Sequence, residues 1–289
     1  MLNKLLCLLA VIAFSYAQAA TIESRISDGP IANATLFRHV VSIQRTDVVN
    51  QINGHICGGS LVTFSYVVTA ARCLFTDGSI LLSTSQLRVV ATSQLNSIAA
   101  ANTRSVANYT VHGSYTGPPA YVNDIAMIAL VTPFTSQFAS LVPLPGNNVK
   151  FEDYAVCYVA GFGATSVQET SPNLELRSAI KYIYNQDVCK SHFNGSPGSV
   201  NILFTMVCAA SINMRNVGCQ GDEGNGLICN GVLAGVLSAT DNCLATSLPE
   251  VYTRVTEYSG WIRSISGAPA ISPTSILIAF SILLYFKLL

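Results

Sequence analysis

Two long apolar runs frame the chain, and between them hydrophobic residues come in short, mostly alternating groups. The first run, Leu5 to Phe14, follows Lys4 and precedes Ala17-Gln18-Ala19. A positive start, an apolar centre and a small-residue exit make residues 1–19 a secretory signal peptide. The second run, Ile276 to Leu289, is interrupted only by Ser281 and Lys287. In between, Val40 to Gln44, Ser60 to Thr63, Leu87 to Val90 and Ser178 to Ile183 have the β-branched, partly alternating character of half-buried strands. Turns containing Gly, Pro and Asn separate them. Gly231 to Leu237 is apolar throughout and reads as a buried strand. Val255 to Ile265 carries a helical pattern, with Trp261 placed to pack that helix onto the sheet. No repeat, low-complexity linker or composition shift divides the chain, so residues 26–265 read as one domain.

Length and charge narrow the function classes. The 289 residues suffice to bury a sizeable core. Fifteen Lys and Arg balance fifteen Asp and Glu, and only 10% of residues are charged, so the basic footprint of a nucleic-acid binder is absent. Cys7 leaves with the signal peptide, and eight of nine cysteines remain. An even number in an oxidising compartment favours disulfides over metal ligands, although spacing does not settle their connectivity. No CxxC or His-rich spacing suggests a metal, and no cofactor is expected. Sequons at Asn33, Asn108 and Asn194 suit a secreted glycoprotein.

The small residues Ser264 to Ala270, a short spacer and the apolar tail are the ingredients of a glycolipid-anchor signal over 266–289, with Ser266 as the attachment residue. A short transmembrane helix is the alternative, although the tail falls below the roughly 20 residues a span needs.

Candidate chemistry sits in four segments: Cys57-Gly58-Gly59-Ser60-Leu61 leading to Val67-Val68-Thr69-Ala70-Ala71-Arg72-Cys73; Asn123-Asp124-Ile125-Ala126; Gly218-Cys219-Gln220-Gly221-Asp222-Glu223-Gly224; and Pro249-Glu250-Val251-Tyr252. In this order and spacing the chain resembles the trypsin/chymotrypsin family of serine proteases from about Ile26 to Ile265. The resemblance implies an all-β fold of two six-stranded antiparallel barrels, a cleft between them and a C-terminal helix. It also implies the pairs Cys57–Cys73, Cys157–Cys229, Cys189–Cys208 and Cys219–Cys243. Residues 20–25 become a short pro-segment. Cleavage after Arg25 would free the amino group of Ile26 to pair with Asp222, unless the junction is inherited and never cut.

Matched motif to motif, Arg72 stands at the catalytic histidine, Asp124 at the aspartate and Glu223 at the serine. Arginine has no lone pair with which to accept a proton, and a carboxylate is a poor nucleophile. None of His39, His55, His112 and His192 occupies the right motif, and each reads as structural or surface. An Asp124–Arg72–Glu223 ionic cluster is expected in place of the triad, the alternative being side chains turned to water. At the specificity pocket stand Val217, Ser238, Thr240 and Glu250. Thr240 adds bulk, and Glu250 either plugs the pocket or leaves a narrow slot for a cation. The expectation is an inactive homolog outside the cell, tethered to the membrane and binding extracellular proteins, whether protease-cascade components or surface ligands. The alternatives are an active serine endopeptidase and a carrier or lectin-like protein using the cleft. Fold alone does not choose among them.

Overall fold

Strands whose side chains alternate between core and solvent close this chain into two barrels. The structure, a computed structural model, describes residues 29–269 apart from 49–51, 77–78, 148, 165, 167, 170, 194–200, 213–217 and 241–247. The first barrel is built from β1 (Val40–Arg45), β2 (His55–Thr63), β3 (Tyr66–Thr69), β6 (Leu87–Val90), β7 (Thr103–Val111) and β8 (Ala126–Leu130). A small hairpin of β4 (Phe75–Thr76) and β5 (Ile80–Leu81) projects beside it. The second barrel comprises β9 (Val156–Gly161), β10 (Arg177–Ile183), β11 (Met206–Ala210), β12 (Gly226–Cys229), β13 (Val232–Ala239) and β14 (Glu250–Arg254). Around the barrels the strands run β1-β2-β3-β8-β7-β6 and β10-β11-β14-β13-β12-β9, every pairing antiparallel. This is the all-β, twin six-stranded architecture that the family resemblance implied.

Closure removes the unpaired edges that an open sheet would expose. Each barrel interior is then filled by one face of its strands. Ile43, Leu61, Val67, Val89 and Ile128 are wholly enclosed in the first, and Leu227 and Tyr252 in the second. Burying an aliphatic side chain of this size contributes about 1.5–3 kcal/mol. The strand β13 is buried along seven of its eight residues, as its continuous apolar run predicts. Strand β7 escaped the sequence reading because Thr103–Val111 is mostly polar. Val106 is the single residue of that strand that is buried.

Two helices complete the described chain. α1 (Gln186–Phe193) is fastened by the Cys189–Cys208 disulfide to β11. α2 (Val255–Ser266) lays Val255, Tyr258 and Ile262 against the first-barrel core, with Trp261 packed beside them. Gly267 ends α2 with φ +66°, a left-handed conformation that costs glycine little, and its N–H closes onto Arg263 O. The helix thus runs one residue beyond the expected boundary at 265, and Ala268 is still part of the core. Residues 270–289 and the signal peptide lie outside the described residues.

Candidate functional site

Arg72 and Asp124 meet in the cleft because two first-barrel segments deliver them there. Arg72 lies in a 3-10 turn, Ala71–Leu74, directly after β3, and its neighbour Cys73 is tied to Cys57 of β2. Asp124 precedes β8 and is completely enclosed. Its carboxylate accepts the Arg72 backbone N–H at 2.9 Å and the Arg72 Nε–H at 2.8 Å. The Ser238 hydroxyl, from the second barrel, donates to it at 2.7 Å. Burial pushes the Asp124 pKa up, and Arg72 and the Ser238 hydroxyl pull back against it. Above Arg72 lies the Tyr121 ring, its centroid 3.4 Å from the guanidinium carbon. This stack covers the cation, so 20% of its side chain remains exposed.

Glu223 sits in a turn between Cys219 and β12. Gly221 and Gly224 adopt φ values of +95° and +83° there. At Gly224 any side chain would also collide with Thr69 Oγ1 at 2.3 Å and Gly58 O at 2.4 Å. This bend turns the Gly221 N–H toward the Glu223 side chain, and Glu223 Oε2 accepts it at 2.9 Å. Although Glu223 keeps part of its surface exposed, the dense cleft pushes its pKa up by desolvation. Its own backbone N–H, Arg72 and the Gly221 N–H act in the opposite direction.

The expected three-membered cluster therefore needs correction. Arg72 pairs with Asp124, whereas the Glu223 carboxylate is spent on backbone donors of its own turn. Those donors are fixed and adjacent, so satisfying them costs less conformational entropy than reaching across to a second mobile side chain. Among the described residues, Arg72 Nη2 is buried without a hydrogen-bond partner.

Asp222, next in the chain, is buried and accepts N–H groups from Gly163 and Cys219, both at 2.9 Å, and from the Asn225 amide at 3.2 Å. Burial outweighs these donors and raises its pKa to about 7. Arg25 and Ile26, the expected activation junction, lie outside the described residues. His55 ties the same loop to the first barrel. A carbonyl only accepts, so His55 Nε2 donates to Gly221 O at 2.9 Å and Nδ1 accepts from the Ser42 hydroxyl at 2.7 Å. His39 is likewise buried, whereas His112 packs edge-on against Tyr258 and Trp261, and His192 against Tyr184.

A pH dependence follows from these groups. A carboxyl whose folded pKa exceeds its unfolded value contributes stability below the unfolded pKa, and that contribution is lost as pH rises to about 7. His39 and His55, both depressed to about 4 by burial, work against it, losing stability as pH falls below the ordinary imidazole range. Comparing variants isolates the Asp222 contribution. In the uncut chain, Asp222→Asn should be most costly at pH 5 and least costly at pH 8, measured by denaturant unfolding. A pH-independent difference would contradict the raised pKa.

The pocket wall contains a group that sequence reasoning missed. Lys181, on the inward face of β10, places Nζ 2.6 Å from Oε2 of Glu250 at the start of β14. The Tyr252 hydroxyl donates to the same oxygen at 2.7 Å, and the Gly218 N–H to Oε1. Lys181 is 0% exposed and Glu250 is 2% exposed. The carboxylate is thus neutralised from behind, which decides against a slot awaiting an external cation. Thr240 Cγ2, Leu237 Cδ2 and Glu250 Oε1 crowd Gly218, all within 3.1 Å of where a side chain would begin. Parity was the available signal: Lys181 shares its strand face with buried Ala179 and Ile183.

Of the remaining expected residues, Cys57–Cys73, Cys157–Cys229 and Cys189–Cys208 are disulfides. Cys219 is disulfide-bonded as well, while Cys243 lies outside the described residues, as do Val217 and Asn194. Asn33 and Asn108 are exposed. Ser266 closes α2, its hydroxyl donating to Ile262 O at 2.8 Å.

Comparison with known proteins gives a consistent picture. The family model described as Trypsin matches residues 26–262. Snake venom serine protease CL2 of Trimeresurus stejnegeri is 30% identical over 266 residues, covering 91% of this chain and 95% of its own. Trypsin Tyr p 3.0101 of Tyrophagus putrescentiae is 30% identical over 295 residues, covering 98% and 96% respectively. Among solved structures, human heparin binding protein superposes with a TM-score of 0.65 at 25% identity, covering 85% of this chain and 98% of that one.

Proposed function

Since this chain belongs to the trypsin family of serine proteases, we propose that it is a catalytically inactive member that works outside the cell as a protein-binding or regulatory module. The observation that carries this reading is the Glu223 carboxylate bonded to the Gly221 N–H. In the family's chemistry a hydroxyl at that position attacks a carbonyl, and the adjacent amides then hold the developing oxyanion. Here the turn already holds a negative charge of its own, and the side chain at 72 offers a guanidinium, which accepts no proton. Nucleophile, base and anion site are lost together. Thr240, Leu237 and Glu250 crowding Gly218 also narrow the usual anchor for a substrate side chain.

Binding then falls to the loops and outer surfaces rather than to the cleft floor. A substrate-like inhibitor loop would meet a side-chain pocket narrowed at Gly218, so inhibitor capture is the least favoured role. The ligand named for the heparin-binding neighbour is not carried over, because cationic and anionic side chains balance in this sequence. Purified protein should turn over no peptide ester and take up no fluorophosphonate probe. Turnover that disappears when residue 223 is changed would overturn the reading and favour an active endopeptidase.

Export rests on residues 1–19 and tethering on 266–289. Among the described residues no helix is long and apolar enough to cross a membrane. A lipid anchor at Ser266 predicts release of the protein from intact cells by phosphatidylinositol-specific phospholipase, scored by surface immunoblot. Retention would favour a membrane-spanning tail.

A further inference from the structure

An open groove of about 440 Å³ on the outside of the second barrel has an apolar lining and a sequon on its rim. Tyr158 of β9 and Ile180 of β10 are cross-strand partners on the outward face. Ile31 and Leu36, from the segment leading into the first barrel, extend the same surface. These four side chains are 47%, 47%, 60% and 68% exposed, which is unusual for contiguous apolar surface on a soluble protein. Asn33, of Asn33-Ala34-Thr35, lines the groove beside them. Its Oδ1 accepts the Thr35 N–H at 3.0 Å and the Thr35 hydroxyl at 2.6 Å. Among the described residues its Nδ2 has no hydrogen bond.

We propose that the groove is the resting place of an N-linked glycan carried by Asn33, whose first sugar packs its apolar face on Tyr158 between Leu36 and Ile180. In the attachment step, Nδ2 of Asn33 forms a bond to C1 of an N-acetylhexosamine donated from a lipid pyrophosphate. The C1–O bond to the pyrophosphate breaks, the lipid pyrophosphate departs, and one amide proton is lost to the transferring enzyme. The sugar ring then offers axial C–H groups to the aromatic face and hydroxyls to water, a match for a groove that is apolar below and open above. The volume falls within the range of about 300–1,000 Å³ typical of small-molecule sites. This inference rests on the extracellular reading above, since the donor is met only in the secretory pathway.

The full chain, expressed in secretory eukaryotic cells, tests it by glycopeptide mass mapping and by timed release with peptide-N-glycosidase on the native protein. Asn33 should be occupied, and its glycan should be released about tenfold more slowly than that on Asn108, the order of protection one aromatic contact supplies. Asn108 is the internal reference because it is exposed on β7 and does not line the groove. Tyr158→Ser with Ile180→Ser should keep occupancy at Asn33 while bringing its release to the Asn108 rate. Denaturation should erase the difference. A bare Asn33 on exported protein overturns the groove assignment alone, whereas a chain that is not exported, with both asparagines bare, overturns the secretory reading with it. Equal native release rates, or a concentration-dependent dimer of the glycosylated chain buried on this face, also overturn the proposal.

Discussion

Changing Arg72→His and Glu223→Ser together should create fluorophosphonate labelling and ester turnover, whereas either change alone should leave both absent. An imidazole at 72 can reach Asp124, which already accepts the residue 72 backbone N–H at 2.9 Å and is held by the Ser238 hydroxyl at 2.7 Å. That carboxylate would orient the ring and stabilise its protonated form. Removing the Glu223 carboxylate frees the Gly221 N–H that it occupies. A serine beside Arg72 has no base, and a histidine beside Glu223 has no hydroxyl to activate. Residues that act as one unit are grossly non-additive, and losing nucleophile or base costs about 10⁶ in turnover. The double variant should therefore exceed either single by about 10³-fold or more, short of the family's full rate because Thr240 and Glu250 still crowd the pocket wall at Gly218. The probe and an ester with a small side chain report this directly. Labelling of the unmodified protein would contradict the inactive reading, and labelling of Glu223→Ser alone at the double variant's rate would contradict the loss of the base at Arg72.

The second large effect concerns stability. Lys181→Met should be among the most damaging single changes in the chain. It leaves the Glu250 carboxylate with the Tyr252 hydroxyl and the Gly218 N–H, but with no cation at 2.6 Å. Breaking a buried pair from one side costs about 3–5 kcal/mol, because the remaining charge is uncompensated. For a domain of this size each kcal/mol lowers Tm by about 2–4 °C, so a fall on the order of 10 °C is expected by calorimetry. Lys181→Met with Glu250→Met removes both charges and fills their space. It should recover part of that loss, since apolar replacement of a whole buried pair is often neutral or stabilising, while the Tyr252 hydroxyl and the Gly218 N–H lose their acceptor. A double-mutant cycle separates the coupling from simple repacking. An unchanged Tm in Lys181→Met would mean that Glu250 is not charged where it sits.

How much of this was legible beforehand depended on sequence distance. The strands around Val40, Leu87 and Ser178 and the helix from Val255 are local patterns, and the structure places elements there with ends shifted by a residue or two. Arg72, Asp124 and Glu223 were readable because each lies inside a contiguous motif. Strand β7 was not, because a strand that buries little more than Val106 carries almost no periodic signal. The destination of Glu223 was misjudged for a different reason. Charge complementarity favoured Arg72, but the turn set by Gly221 and Gly224 offers nearer donors, and side-chain charge alone does not reveal the positions of backbone amides.

By itself, then, the order of residues determined short strands with a C-terminal helix, the motifs whose family resemblance implies the twin barrels, the identities standing at the three cleft positions and the cysteines available for cross-linking. Only the tertiary structure decided that Lys181 of β10 neutralises Glu250 of β14, that Tyr121 roofs Arg72, and that Asn33 borders the groove under Tyr158. Periodicity and local motifs are written within a few residues of chain. Buried charge pairing and shared surfaces depend on which distant strands the closed barrels bring into contact.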